Sequence, residues 1–160
     1  MHRHTLPLIC VLTVGCGGSL APAEAPAEVV PPEGGADYII DSAVVEHAVL
    51  RINGSGNLPD GALISYEVKH EGFDVGDYDG YETGQIEFNG GTFTFEMSVA
   101  DWPTGHALIK LVFEMQPTGD MQPAVIIEAY GENGERLTGP NVEDFGGRKT
   151  IAVFAEAEIS

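Results

Sequence analysis

Between Asp37 and Ser160 the chain never runs far without Gly, Pro or Asn-Gly punctuation, and this constrains the fold more than any other feature. The stretch Asn53-Gly54-Ser55-Gly56-Asn57-Leu58-Pro59-Asp60-Gly61 separates the apolar run Val44 to Ile52 from the alternating run Ala62 to Val68. It reads as a glycine-rich strand exit followed by a Pro-Asp-Gly turn. Asn89-Gly90-Gly91, Pro103-Thr104-Gly105, Pro117-Thr118-Gly119 and Asn133-Gly134 break up the remainder in the same way. Apolar residues spaced three and four apart, the mark of an amphipathic helix, are absent between these breaks, so no helix is expected.

The segments between the breaks alternate. Leu50 and Ile52 alternate with Val49 and Arg51, and Ile64, Tyr66 and Val68 alternate with Ser65, Glu67 and Lys69, which gives each run one face suited to a core. Gln85 to Phe88 and Thr92 to Val99 form the clearest hairpin: Ile86, Phe88, Phe93, Phe95 and Met97 fall on one side, and Glu87, Thr94 and Glu96 on the other. Ala107 to Met115 is apolar on nearly both faces apart from Lys110 and Glu114, the pattern of a central strand. Val125 to Tyr130 and Ile151 to Ala155 complete a set of about seven strands. The predicted fold class is therefore all-β, a single antiparallel β-sandwich of the immunoglobulin-like or transthyretin-like kind, with a small β-barrel as the alternative.

Cysteine placement bounds the chemistry. Cys10 and Cys16 are the only thiols, so residues 37–160 hold no disulfide, no Cys-ligated zinc and no cysteine nucleophile. Met1 to Gly15 begins with His2, Arg3 and His4 and continues in about ten apolar residues, a secretory leader too short to span a bilayer. At Leu12-Thr13-Val14-Gly15-Cys16 this leader resembles the bacterial lipoprotein signal, in which the cysteine after a small residue is lipidated and becomes the new N-terminus. Cleavage of an ordinary signal near Ala21 to Ala25 is the alternative. The resemblance implies a membrane anchor through Cys16. Where lipoproteins are sorted by the next residue, Gly17 implies the outer membrane of a bacterial envelope, with the face left open. Residues 16–36, rich in Pro, Ala, Glu and Gly, are expected to form a semi-extended tether, and 37–160 the folded domain.

Along that domain Asn57-Leu58-Pro59-Asp60-Gly61, Asn89-Gly90-Gly91-Thr92-Phe93, Gln122-Pro123-Ala124-Val125 and Gly131-Glu132-Asn133-Gly134-Glu135-Arg136-Leu137-Thr138-Gly139-Pro140 follow one another. In this succession the chain resembles a β-sandwich domain that recurs in bacterial lipoproteins and secreted proteins. The resemblance implies fold and location and supplies no catalytic residues.

The formal charge of -18 disfavours phosphate backbones and excludes nucleic acid as a natural partner. Gly54-Ser55-Gly56 has Pro59 where a dinucleotide loop needs its third glycine, and a strand follows it rather than a helix. No Gly-x-Ser-x-Gly is present, and His47, His70 and His106 are scattered over three runs. The sharpest local feature is the acidic connection Phe73 to Glu82. Asp77-x-Asp79-Gly80 echoes part of a calcium loop, with Asp74, Asp77, Asp79 and Glu82 as candidate ligands, although the alternating acids are incomplete. Phe73, Tyr78 and Tyr81 make the same loop a candidate contact surface. No resident cofactor is expected unless that loop binds calcium. The function expected is that of a non-catalytic interaction module held at a membrane, facing an unknown protein or glycan. A small exported hydrolase or a carbohydrate-binding domain is the alternative.

Overall fold

The computed structural model describes residues 29–117 and 119–160, so the leader, Cys16 and the tether up to residue 28 lie outside it. The described residues form strands β1 (Tyr38–Glu46), β2 (Val49–Gly56), β3 (Ala62–His70), β4 (Tyr81–Phe88), β5 (Thr92–Ser98) and β6 (Gly105–Phe113), a short helix α1 (Ala124–Tyr130), and strands β7 (Val142–Phe145) and β8 (Arg148–Ile159). A three-stranded sheet in the order β1-β2-β5 packs on a five-stranded sheet in the order β4-β3-β6-β8-β7, with every pairing antiparallel. The sheets do not close into a barrel, and the expected sandwich is the architecture found.

Period-two alternation builds the core between the sheets. Leu50 and Ile52 of β2 face Ile64 and Val68 of β3 and Ala107, Ile109, Leu111 and Phe113 of β6, all of them buried. As its two apolar faces predict, β6 is the central strand of its sheet. Tyr38 enters the core from β1, and its hydroxyl donates towards the carbonyls of Leu111 and Ile151, 2.9 and 3.1 Å away on β6 and β8. The phenol thereby ties the two sheets together, and burial pushes its pKa well above the ordinary tyrosine value.

Four expectations are corrected. The run Val44 to Ile52 is not one strand, because His47 and Ala48 have φ of 53° and 61° and reverse the chain between the paired residues Glu46 and Val49. Two positive φ values in a two-residue loop match the right-handed twist of a hairpin, but this turn is made without Asn or Gly. The strand exit does not begin at Gly54 either, since Gly54 lies inside β2, which ends at Gly56. A Cβ on Gly54 would overlap the ring of Phe93 and the Ile39 carbonyl, so the glycine is where the Phe93 ring fits. The reversal itself comes at Pro59-Asp60-Gly61, where Gly61 has φ of 81° and the Ala62 N–H donates to the Pro59 carbonyl at 3.1 Å.

The expected hairpin Gln85 to Val99 is a corner. β4 pairs with β3 in one sheet, β5 pairs with β2 in the other, and only Asn89 and Thr92 bridge between them. Alternation places Ile86, Phe88 and Phe93 in one core either way, so the pattern cannot distinguish a ladder from a chain that crosses between sheets. Finally, Val125 to Tyr130 is helical. Ile126, Ala129 and Tyr130 are its buried residues and stand three and four apart, a helical spacing hidden in a run read as a strand. Pro123 precedes the helix and Gly131, at φ of 91°, closes it by donating to the Ile127 carbonyl at 2.7 Å.

Gln122 explains why this segment does not join the sheet. Its buried side-chain amide accepts from the Leu63 N–H at 2.9 Å and donates to the carbonyls of Leu63 and Glu114 at 2.6 and 2.7 Å. One side chain thus continues the ladder past the end of β6. At the other end of the domain, packing begins before Asp37. Val29 touches the core, Ala36 is buried, and its N–H donates to the Thr138 carbonyl at 2.6 Å.

Candidate functional site

The two outward faces differ in chemistry. On the three-stranded sheet the polar side chains satisfy one another. Arg51 Nε lies 2.6 Å from Glu96 Oε1, Asn53 donates to Ser42 Oγ at 3.1 Å, Thr94 donates to Asn53 Oδ1 at 3.1 Å, and Ser55 donates to Asp41 Oδ1 at 3.1 Å. That face pairs off these polar groups and leaves Ile39 and Val44 as its exposed apolar side chains, 50% and 42% exposed.

The five-stranded sheet is different. Register places Thr83, Glu67, Lys110 and Phe154 side by side across β4, β3, β6 and β8, with Tyr81, Lys69, Leu108 and Glu156 in the next row. Phe154 is 70% exposed, and Phe145, which pairs with Arg148 at the β7 edge, is 65% exposed. A groove of about 550 Å³ runs over Glu67, Lys69, Leu108, Lys110, Phe154 and Glu156. It adjoins further concavities that share Lys110, Val112 and Glu114. The ion pairs among the described residues are Arg51 with Glu46 and Glu96, Lys69 with Asp74, and His106 with Glu71, so Lys110 keeps its ammonium out of any such pair. Glu114 is half-buried, and desolvation raises its pKa against the opposing pull of Lys110 and Arg148. Two exposed phenyl rings and an uncommitted cation over a rigid ladder give a surface with stacking area and with both hydrogen-bond donors and acceptors.

The acidic connection is placed as follows. Asp74 reaches back to Lys69 Nζ at 2.5 Å, Asp77 and Asp79 are exposed, and Glu82, the second residue of β4, is exposed as well. Among the described residues no three His, Cys, Asp or Glu side chains converge as a metal site would require. The three aromatics separate. Phe73 stacks on Tyr81 with ring centroids 4.9 Å apart, and the Tyr81 hydroxyl donates to Glu67 Oε2 at 3.1 Å, which ties this pair to the groove. Tyr78 turns inward instead, edge-on to His70 at 5.4 Å and near Trp102 at 6.4 Å, with its hydroxyl donating to the Asp101 carbonyl at 2.6 Å. Trp102 packs against the core at this end of the sandwich. His70 is buried beneath it and accepts the Gly72 N–H on Nδ1 at 3.0 Å, while Nε2 has no partner among the described residues.

The groove residues were not singled out from the sequence. Lys110 and Glu114 were visible as the polar exceptions in a central strand, and Phe154 as an apolar residue in an alternating one. What makes them a site is the pairing of β6 with β8, which local pattern does not specify. No protein-family model matches the chain, and comparison with curated proteins and with solved structures gives no match. No helix among the described residues is long and apolar enough to cross a membrane.

Proposed function

We propose that this chain is a non-catalytic binding module of a bacterial envelope, anchored by lipid on Cys16 and contacting its partner through the outer face of the five-stranded sheet. The observation that carries the reading is the exposure of Phe154 and Phe145 on a grooved sheet face whose opposite side is the core. Large apolar side chains left in water on a rigid element favour contact with another molecule. A strand ladder presents them with little conformational freedom to lose on binding. The anchor rests on the Gly15-Cys16 junction and the tether that follows it.

Two experiments test the two halves separately. Mass spectrometry of the N-terminal peptide from the native host is expected to find acylated Cys16, and an unmodified start between Ala21 and Ala25 would remove the anchor from the account. Binding of the purified chain to envelope preparations is expected to fall about tenfold or more when Phe154 and Phe145 are both changed to Ala, and to be unaffected by Val44→Ala on the opposite sheet. Equal binding by all three proteins would remove the face. Turnover of an ester, peptide or glycoside, abolished by one substitution in the groove, would replace the non-catalytic reading with an enzymatic one.

A further inference from the structure

The charge pattern within the groove narrows the class of ligand. Across each strand pair, directly opposed side chains stand about 5 Å apart. Along the row Thr83, Glu67, Lys110, Phe154 an acid stands beside a base, and the base stands beside the exposed ring. The next row repeats the mixture with Lys69, Leu108 and Glu156. Among the described residues Lys110 has no ion-pair partner, although Glu67 is its cross-strand neighbour. A polyanion laid over this face would meet Glu67, Glu114 and Glu156, and a polycation would meet Lys110, the Lys69 ammonium being held by Asp74. Either would bury like charges against one another.

A neutral ligand escapes that conflict. It must donate to the carboxylates, accept from the Lys110 ammonium and offer an apolar patch to Phe154. An extended polypeptide fits less well, because the ladder has already used the backbone groups of the central strands and a peptide laid flat would find few partners for its own N–H and C=O groups. A sugar chain has no such obligation. Its hydroxyls both donate and accept, and its ring C–H face matches an exposed phenyl. Building on the reading of this face as the binding surface, we infer that the groove over Glu67, Lys110, Phe154 and Glu156 is a site for a neutral glycan, with Phe154 as the stacking platform and Glu67 and Lys110 as the hydroxyl-binding pair.

The test is a backbone amide NMR titration of the full chain with cellotetraose, chitotetraose and maltotetraose, alongside tetra-lysine and tetra-glutamate as charged probes. At least one neutral sugar is expected to shift the amides of Glu67, Lys110, Val112 and Phe154 saturably, with an affinity unchanged between low salt and about 0.5 M salt. Phe154→Ala is expected to weaken that binding about tenfold or more and Phe154→Tyr to restore it. At 70% exposure, Phe154 can be truncated without opening the core, and the spectrum itself reports whether the variant is folded. Absence of saturable shifts from all three sugars overturns the inference. Salt-sensitive shifts at the same residues from a charged peptide, with none from the sugars, would overturn the glycan and leave the face as the binding surface. Shifts confined to Phe73 to Glu82 or to the three-stranded sheet would overturn both.

Discussion

Single side chains do the work of whole elements in this domain. The Gln122 amide stands in for a strand, and its loss leaves the Leu63 N–H and two carbonyls without partners in a part-buried position. Gln122→Ala is expected to cost about 2–3 kcal/mol in urea unfolding. Tyr38→Phe keeps the ring and removes only the hydroxyl that reaches Leu111 and Ile151, for an expected loss of about 1 kcal/mol. Gly54→Ala drives a methyl into Phe93 and the Ile39 carbonyl, an overpacking expected to cost about 1–3 kcal/mol. Exposed His106 lies 3.0 Å from Glu71 Oε2, and this bond, then the carboxylate's charge, raises its pKa above the ordinary histidine value. A raised folded-state pKa favours the protonated form, so the contribution is complete below about pH 6.5 and is lost as pH rises through the elevated value. NMR titration of the His106 ring is expected to show the raised midpoint, and Glu71→Gln to return it towards the ordinary one. None of these roles was legible in the sequence, because each depends on a neighbour far away along the chain, such as Leu63 for Gln122 or Leu111 for Tyr38.

At the scale of elements the sequence was legible wherever alternation and burial coincide. β3 and β6 fall where Ile64, Val68 and Leu111 place them, and β6 is central because Leu108 and Val112 make its outer face partly apolar as well. It misled where two arrangements bury the same side chains. Ile86, Phe88 and Phe93 reach one core whether the chain pairs with itself or crosses between sheets. Ile126, Ala129 and Tyr130 were hidden because a short run that is apolar or aromatic at every position but Glu128 satisfies strand and helix spacing alike. The β1–β2 turn was missed for want of a turn residue, and that makes it improvable. His47→Asn with Ala48→Gly supplies the residues that adopt positive φ readily, and is expected to raise stability by about 1 kcal/mol in denaturant titration. A loss of stability would mean that the turn is not of this type.

For the molecule as a whole, 25 acids against 7 bases leave a net charge of -18, so the folded chain repels itself. Screening relieves that repulsion, and the melting temperature is expected to rise between low salt and about 0.5 M salt. A fall would mean that attractive pairs dominate the surface. The acids are spread over loops and both sheets, whereas exposed Phe154 and Phe145 stand together on the five-stranded sheet, and only strand order reveals this. Whether this face rather than the opposite one meets the partner is decided by photo-crosslinking in the native envelope, with benzoylphenylalanine at position 154 and, in a separate chain, at position 44. A discrete adduct is expected from position 154 and none from position 44. The reverse pattern, or the same adducts from both positions, would contradict the assignment of this face.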